Sequence, residues 1–260
     1  MARYLYIDLS YFIFHRFHAL NNWFAKYRSL MADGETPIER DQSVFLEKFD
    51  SLFYKHITTL IKKYNASIDT TILAKDCHRG NIWRHKLIEK YKDTRETSND
   101  ISDIFKHVFQ NTLTKCPYKI VSHPHLEADD IIASLVKKND GKNEIVIITN
   151  DNDYVQLSAP NVQIYNMQGK DVVERVKMDP QLYLLTKIIM GDKSDNIPSI
   201  AKGVGPVRAK KLAENPELLD EFLKTPDAKT RYDTNKTIID FNMIPKELIN
   251  EIVVCQPYKI

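Results

Sequence analysis

Three carboxylates fall within the stretch "EADD" at residues 127–130, directly before apolar residues whose spacing predicts a helix. Carboxylates this close repel one another, and burial would raise their pKa values and lower stability. Two explanations are open. The acids could favour the positive end of the helix dipole, or they could bind a hard cation that neutralises them. The second explanation predicts that further acids reach the same place.

Further acids occur where predicted strands stop and where a later helix begins. Each has an ordinary explanation by itself, because Asp151 and Asp153 suit a turn and Asp192 and Asp195 suit a helix start. Taken together, they predict a metal centre. The nine candidates are Asp8, Asp76, Glu127, Asp129, Asp130, Asp151, Asp153, Asp192 and Asp195.

The types of these residues favour Mg²⁺, which prefers carboxylate and water oxygens. No His or Cys joins the pattern, which argues against zinc. The glycine that a calcium loop requires does not follow Asp151 and Asp153. Two Mg²⁺ ions about 3.5–4 Å apart would serve in-line phosphoryl chemistry, by activating a water and stabilising the charge on the phosphate. We expect Mn²⁺ to substitute.

The elements that must position these acids alternate between strands and helices. Short apolar runs predict buried strands at "RYLYIDLS", "DTTILAKD", "PYKIVSHP" and "NEIVIITNDND", and helical spacing appears at residues 43–64 and 127–138. This alternation over residues 1–155 predicts an α/β fold with a mainly parallel central sheet flanked by helices. In such sheets functional groups gather beyond the carboxyl ends of the strands. Residues 161–176 suggest a hairpin, and the chain from Leu182 onward is predicted to be helical.

Two cationic segments accompany the acids. The stretch "CHRGNIWRHKLIEKYKDTRE" after Asp76 is either a solvated helix face or a segment that holds nucleic-acid phosphates beside the metals. Farther on, two of the seven glycines form Gly203-Val204-Gly205 before a basic helix. Backbone N–H groups at such a turn can bind phosphate. This arrangement suits a grip on a DNA backbone that ignores base sequence.

The bulk composition excludes several classes of protein. The net charge is only +2, so any attraction to nucleic acid must come from segregated charge. Three cysteines without a C-x-x-C spacing argue against a disulfide framework. No signal peptide and no apolar run of about 18 residues is present, so we expect an intracellular protein that is neither secreted nor membrane-bound.

Five ordered motifs resemble the structure-specific 5′-nuclease family, which includes flap endonucleases, the 5′-nuclease domain of bacterial DNA polymerase I and phage RNase H-type nucleases. The motifs are "YIDLSYFIFHRFHAL", "AKDCHRGNIWRHKLIEKYKDTR", "EADDIIASL", "IITNDNDYVQL" and "IMGDKSDNIPSIAKGVGPVRAKKL". The closing "IIDFNMIPKELINEIV" is similar to the phage RNase H-type tail. The resemblance implies a PIN-like, resolvase-like nuclease core over residues 1–180, with an arch or gateway at about 80–110. It also implies a helical helix–turn–helix (H3TH) clamp on duplex DNA over residues 181–260.

The resemblance further implies a role for each matching residue. The first metal would be surrounded by Asp8, Asp76, Glu127, Asp129, Asp151 and Asp153. The second metal's environment, mostly through water, would be Asp130, Asp192 and Asp195. The scissile phosphate would be stabilised by Lys92 and Arg95, with Arg84 at another basic position nearby. DNA would be bound by Arg16, Arg79, Gly203, Val204, Gly205, Arg208, Lys210 and Lys211, with a possible K⁺ at the 200–205 turn. Whether His15 or Arg16 contacts phosphate is left open.

The resulting hypothesis is a Mg²⁺-dependent 5′-3′ exonuclease and flap endonuclease that leaves 5′-phosphates. We expect a monomer that acts on DNA with a 5′ flap, nick or overhang and on RNA–DNA hybrids, in primer removal, flap processing and repair, plausibly in a virus. No sliding-clamp motif is seen. Aromatic residues among Tyr11, Phe12, Phe14 and Phe17 either stack on an unpaired base or belong to the core.

Three alternatives remain open. A PIN-type ribonuclease would not need the block after Leu182. A non-catalytic binder of branched DNA would be expected to lack some of the acids. A haloacid-dehalogenase-type phosphatase requires Asp-x-Asp at the first strand, where Asp8 is followed two positions on by Ser10.

Overall fold

The computed structural model describes residues 2–31, 41–95 and 98–255, and its centre is a six-stranded sheet in the order β5-β4-β1-β2-β3-β6. The strands are β1 (Arg3–Asp8), β2 (Thr71–Lys75), β3 (Lys119–Ser122), β4 (Glu144–Ile148), β5 (Val162–Tyr165) and β6 (Val253–Cys255). The first five are parallel, and β6 is antiparallel to β3. The predicted α/β fold with a mainly parallel sheet is therefore confirmed.

The register of the central strands brings their carboxyl ends to one edge. Asp8 at the end of β1 pairs with Ala74 of β2, and Ile7 pairs with Ile148 of β4. The chain leaves β2 towards Asp76 and leaves β4 towards Thr149 at this same edge. Acids that are far apart in sequence thus start from neighbouring strand ends.

Helices cover both faces of the sheet, because the strand side chains alternate between two cores. Leu5 and Ile7 pack with α1 and α2 in one core, whereas Tyr6 packs with α4 in the other. The helices of this part are α1 (Leu9–Met31), α2 (Gln42–Lys63), α3 (Asn99–His107), α4 (Ala128–Asn139) and α5 (Val172–Val176). The basic segment between β2 and α3 holds only short 3-10 turns at Arg79–Asn81 and Trp83–Lys86, and its residues 96 and 97 lie outside the described part.

The C-terminal part is mainly helical and shares a core with what precedes it. Its helices are α6 (Pro180–Met190), α7 (Pro206–Ala213), α8 (Pro216–Phe222), α9 (Pro226–Ile239) and α10 (Lys246–Asn250). Leu184 and Ile188 of α6 pack with Ile82 and Tyr91 of the basic segment. The domain boundary predicted after residue 180 falls at the start of α6 and stays a prediction.

Two local predictions are wrong. The expected hairpin over residues 161–176 is strand β5 followed by α5, because Asp171 caps that helix by accepting hydrogen bonds from the backbone N–H groups of Val173 and Glu174 at 2.7 and 3.0 Å. The chain after Leu182 is not helical throughout, since β6 returns to the open edge of β3. Residues 256–260 of the predicted tail lie outside the described part.

No helix in the described ranges is both long enough and apolar enough to cross a membrane. Of the three cysteines, Cys77 and Cys116 are free thiols.

Candidate metal centre

The acids gather around one cavity of about 2350 Å³ beyond the carboxyl ends of the central strands. The acids that line it are Asp8, Asp76, Glu127, Asp129, Asp151 and Asp192. Its cationic lining is Arg79, Lys92, Arg95, Lys106, Lys187 and Lys193. The turn 203–206 and the aromatic side chains of Phe14 and Phe105 complete the wall. Folding therefore brings six of the nine predicted acids, the predicted arch base and the turn of the predicted DNA clamp to one concave surface.

Within the described residues, Asp8 accepts hydrogen bonds from neutral donors only. Its carboxylate accepts hydrogen bonds from the Tyr11 backbone N–H at 3.1 Å, the Tyr154 hydroxyl at 3.1 Å and the Thr149 hydroxyl at 3.4 Å. Burial, followed by repulsion from Asp76, raises its pKa to about 7. Asp8 is thus oriented for binding but is costly to ionise.

Asp76 and Asp129 share this character. Asp76 accepts hydrogen bonds from the Ala128 backbone N–H at 2.8 Å and from the Ser10 hydroxyl. Burial raises its pKa, and the charge of Glu127 adds to the effect. Burial raises the pKa of Asp129 well above its usual range, with Asp130 and Glu127 contributing.

Asp8, Asp76, Asp129 and Asp151 form what we call the unpaired group. Over residues 2–31, 41–95 and 98–255, no Lys, Arg or His nitrogen lies within 4.0 Å of their carboxylate oxygens. Their oxygens therefore accept hydrogen bonds from neutral donors, while Lys92 and Arg84 act on Asp76 and Asp129 only from beyond ion-pair distance.

The neighbouring acids form a paired group, which comprises Glu127, Asp130, Asp153, Asp192 and Asp195. Glu127 accepts hydrogen bonds from the Lys92 ammonium, from Arg84 at 2.9 Å and from the Tyr91 hydroxyl at 3.1 Å. Burial opposes ionisation of Glu127, but the charges of Lys92 and Arg84 outweigh it and lower the pKa.

The placement of Asp130 and Arg84 corrects two expectations. Asp130 is 0% exposed, and its two oxygens accept hydrogen bonds from Arg84 at 2.7 and 2.8 Å and from the Trp83 indole at 3.0 Å. Oxygens of Glu127, Asp129 and Asp130 lie within 4.8 Å of one another, yet those of Asp130 already have cationic partners. Asp130 therefore faces Arg84 and not an ion in the cavity.

Arg84 is 2% exposed, and its Nε donates to the Ile238 carbonyl at 2.9 Å. It therefore cannot reach a phosphate in the cavity. Its guanidinium instead joins the start of α4 to the end of α9, so it positions Glu127 and Asp130. The physical reason is that a buried charge without a partner is strongly destabilising, so the buried carboxylates of Glu127 and Asp130 pair with the Arg84 guanidinium.

Lys187 of α6 also lines the cavity, and the sequence motifs did not predict it there. Its ammonium contacts Asp153, and it lies 3.0 Å from Asp192. Burial disfavours its charge, but Asp153 and Asp192 raise its pKa. The available signal was its position one helical turn before "GD" at residues 191–192.

The two acids beside Lys187 differ in their titration. Burial and the charge of Asp151 raise the pKa of Asp153 to about 6 despite the lysine. Burial also opposes ionisation of Asp192, but Lys187 and the hydroxyl of Ser194 lower its pKa.

The loop from Gly191 to Asn196 has a backbone that only glycine permits at its start. Gly191 has φ +72°, and a Cβ there would lie 2.4 Å from the Ile197 carbonyl oxygen. The loop carries Asp195, which is 6% exposed, ion-paired with Arg95 and 3.8 Å from the Lys92 ammonium. Asp195 therefore holds the predicted phosphate-stabilising cations.

The turn before α7 exposes its backbone but not all of its side chains. Gly203 has φ +81°, and the Val204 side chain is buried, so a ligand would meet the main chain of this turn. Its basic companions Arg208, Lys210 and Lys211 are exposed on α7.

Two further cations were expected to bind DNA. Arg79 is exposed, lines the cavity and donates to the Arg95 carbonyl at 2.8 Å. Arg16 is half-buried, contacts His56 at 2.6 Å and His15 at 2.8 Å, and is absent from the described lining of the cavity. The choice between His15 and Arg16 as a phosphate contact stays open.

The aromatic candidates separate by burial. Phe12 and Phe17 belong to the core, and the Tyr11 hydroxyl accepts a hydrogen bond from the Met167 backbone N–H at 3.0 Å. Phe14 is 38% exposed, lines the cavity and packs edge-to-face with Phe105 at a centroid distance of 5.7 Å. Of these four aromatic residues, Tyr11 and Phe14 line the cavity, and Phe14 is the more exposed of the two.

Comparisons with known proteins agree with this geometry. The family model described as "5'-3' exonuclease, N-terminal resolvase-like domain" matches residues 3–182. The chain is 31% identical to the 5′-3′ exonuclease of Mycoplasmopsis pulmonis over 205 residues, which are 74% of this chain and 68% of that protein. It is 28% identical to the ribonuclease H of Enterobacteria phage T4 over 237 residues, which are 80% and 78% of the two chains.

A solved structure of T5 5′-exonuclease with bound zinc ions has the same fold, with a TM-score of 0.68, 17% identity and 96% of each chain covered. The chain therefore belongs to the family of 5′-3′ exonucleases with a resolvase-like N-terminal domain. The predicted family is confirmed.

Proposed function

We propose that this chain is a divalent-metal-dependent, structure-specific 5′ nuclease, which acts as a 5′-3′ exonuclease and flap endonuclease. The observation that carries the proposal is the unpaired group at the carboxyl edge of the sheet. The pKa values of its members Asp8, Asp76 and Asp129 are raised, and such carboxylates bind a hard cation readily, because the cation removes the cost of ionising them together. Family membership supports nuclease chemistry at this site.

The donor set fits Mg²⁺, with Mn²⁺ as a substitute. The first ion would be surrounded by Asp8, Asp76, Glu127, Asp129, Asp151 and Asp153, and the second would be faced by Asp192 and Asp195, mostly through water. Two such ions would supply a nucleophilic hydroxide and offset the negative charge on the phosphate. The protein's own part is to fix these oxygens, which it does through neutral donors such as Tyr154 and the Ala128 N–H.

Lys92 and Arg95 would stabilise the charge that develops on the scissile phosphate. Both line the cavity, and both are preorganised by acids of the paired group. A phosphate of the substrate would replace some of the carboxylate contacts of these two cations. Arg79, exposed at the same rim, would hold a neighbouring phosphate of the 5′ strand.

Duplex DNA would be held by the 203–205 turn and the basic face of α7. The support is that this turn lines the same cavity as the acids, so a backbone bound there leads to the metal centre. A related T5 flap endonuclease, with a TM-score of 0.66 and 17% identity, was crystallised with DNA and metal ions. We propose that K⁺ binds to backbone carbonyls of residues 200–205, which a swap of K⁺ for Li⁺ in duplex-binding assays would test.

The substrates proposed are DNA with a 5′ flap, nick or overhang and RNA–DNA hybrid, cut by a monomer that leaves 5′-phosphates during primer removal and flap processing. The test uses 5′-labelled flap, nicked duplex, RNA–DNA hybrid and single-stranded RNA, each with Mg²⁺ and with a chelator. We expect cleavage of the first three with Mg²⁺ only. Cleavage confined to single-stranded RNA would favour a PIN-type ribonuclease instead.

One variant pair tests the metal assignment directly. Asp153→Asn should abolish cleavage and leave DNA binding largely intact, because it removes a ligand oxygen without touching the clamp. Asp140→Asn is the matched control, since Asp140 is exposed beyond α4 and adopts a left-handed backbone that Asn tolerates. Wild-type cleavage by Asp153→Asn would contradict the assignment.

A further inference from the structure

The backbone at Lys92 adopts a conformation that needs support. Lys92 has φ 59°, in the left-handed region that a lysine rarely occupies. Its ammonium reaches Glu127 from this position. Because the right-handed alternative is favoured for lysine, contacts from elsewhere must hold the turn. One such contact is the hydrogen bond from the Lys92 backbone N–H to the Asp195 carbonyl at 3.0 Å.

Asn196 supplies two further contacts, one on each side of Lys92. Its side-chain Nδ2 donates to the Lys90 carbonyl at 2.9 Å, and its Oδ1 accepts a hydrogen bond from the Thr94 hydroxyl at 3.1 Å. Asn196 is itself left-handed, with φ 58°, as it ends the 3-10 turn Lys193–Asp195. Asparagine tolerates this backbone better than most residues.

We propose that Asn196 is a positioning residue that, together with Thr94, fixes the left-handed turn at Lys92 and thereby aims the Lys92 ammonium into the cavity. The inference rests on the proposed function, in which Lys92 stabilises the scissile phosphate. Asn196 is absent from the described lining of the large cavity, so it acts through Lys92 and not on the substrate.

The arrangement also explains how two distant segments are kept in register. The amide of Asn196 joins the end of the loop with Asp192 and Asp195 to the segment with Lys92 and Arg95. These segments are separated by 102 to 106 positions of chain. A shift of one against the other would move the phosphate-stabilising cations relative to the acids, and small misplacements of this kind are costly in catalysis.

The test compares Asn196→Ala with Asn65→Ala on a flapped DNA with Mg²⁺. Asn65 is the matched control, because it is also left-handed, with φ 52°, and is exposed away from the cavity. We expect Asn196→Ala to lower kcat about tenfold or more while KM stays within about twofold. Asn65→Ala should leave both constants at wild-type values.

Thr94 gives a conservative series on the other contact. Thr94→Val removes the hydroxyl at nearly constant shape and should lower kcat in the same direction as Asn196→Ala, by a smaller factor. Thr94→Ser keeps the hydroxyl and should retain wild-type kcat. Equal rates for Thr94→Val and Thr94→Ser would remove Thr94 from the proposal.

The double variant Lys92→Ala/Asn196→Ala decides whether Asn196 acts through Lys92. In the Lys92→Ala background, Asn196→Ala should change kcat by less than about twofold, since the group that it positions is already gone. Hydrogen exchange gives a second readout, and amides of residues 90–95 should exchange faster in Asn196→Ala than in Asn65→Ala.

The two possible failures are distinguishable. A fast Lys92→Ala enzyme would overturn the proposed role of Lys92 and this inference with it. If Lys92→Ala is slow, the proposed role of Lys92 stands. The inference about Asn196 alone would then be overturned if Asn196→Ala had wild-type kcat, or if the effects of the two substitutions on kcat were fully additive.

Discussion

The unpaired and the paired groups lie side by side around one cavity, yet their electrostatics differ. Asp8, Asp76 and Asp129 are oriented by hydroxyl and backbone donors, and burial raises their pKa values. Glu127, in contrast, has two cationic partners, and its pKa is lowered.

The difference separates two uses of buried acid. The unpaired group has oxygens free of cationic partners and gains stability from an added divalent ion. The paired group has its cations built into the chain. Its members Glu127, Asp130 and Asp195 position Arg84, Lys92 and Arg95, whereas Asp153 and Asp192 contact Lys187 and would also face an ion.

Asp8→Asn should impair metal binding by the unpaired group. Cleavage should fall by at least about 10³-fold, or roughly 4 kcal/mol of transition-state stabilisation, because a ligand oxygen for the ion is lost. The same variant should have a higher melting temperature than wild type in chelator at pH 8, since a repelling charge is gone. A metal-free melting temperature below that of wild type would contradict the division.

Asp130→Asn should, unlike Asp8→Asn, lower the stability of the fold. It removes the charge that compensates buried Arg84, and it should lower the free energy of unfolding by about 3–5 kcal/mol. Urea denaturation with and without Mg²⁺ measures the loss, which we expect to be nearly independent of the metal. If the free energy of unfolding fell only when Mg²⁺ was present, Asp130 would instead be a metal ligand.

Lys92→Ala removes a cation that is paired with an acid of the paired group and that faces the cavity. We expect kcat to fall about 100-fold, with a much smaller effect on DNA affinity, because the lost interaction belongs to the transition state. Single-turnover cleavage and equilibrium binding with Ca²⁺ in place of Mg²⁺ separate the two effects. The exposed Lys86 provides the control variant Lys86→Ala.

The pH dependence of metal-free stability should report the acids with raised pKa values, which occur in both groups. Asp8 has a folded pKa of about 7, and Asp153 has one of about 6. Both lie above the unfolded values, so the folded state binds more protons and this contribution to stability is lost as pH rises from about 4 to 7. The melting temperature in chelator should fall over this range, and saturating Mg²⁺ should reduce the fall. Asp8→Asn should flatten the chelator curve.

Lys210→Ala should have the smallest effect, because α7 lies outside both groups of acids. Duplex affinity should fall by about 1 kcal/mol or less, and the slope of log K against log salt should decrease by about 1. Cleavage at saturating DNA should keep its wild-type rate. A large fall in that cleavage rate would show that α7 contributes to catalysis and not only to DNA binding.

Much of the site could be predicted from the sequence because strands and their ends have local signals. The apolar runs before Asp8, Asp76 and Asp151 identify buried strands, and a parallel sheet requires their carboxyl ends to meet at one edge. The hairpin over residues 161–176 was mispredicted because the capping of α5 by Asp171 outweighed its β-branched residues. Lys187 was not predicted because its only local signal, a position one helical turn before Asp192, does not reveal the second partner Asp153, which lies 34 positions away.

Local patterns along the chain were enough to predict the family, the α/β fold, and which acids stand at strand and helix ends. Which of those acids carry a cation of their own depends on how distant segments pack together. The partners come from far along the chain, as Arg84 lies 46 positions from Asp130 and Lys187 lies 34 from Asp153. An acid's burial and its neighbours set its charge, and both exist only after the segments have packed together.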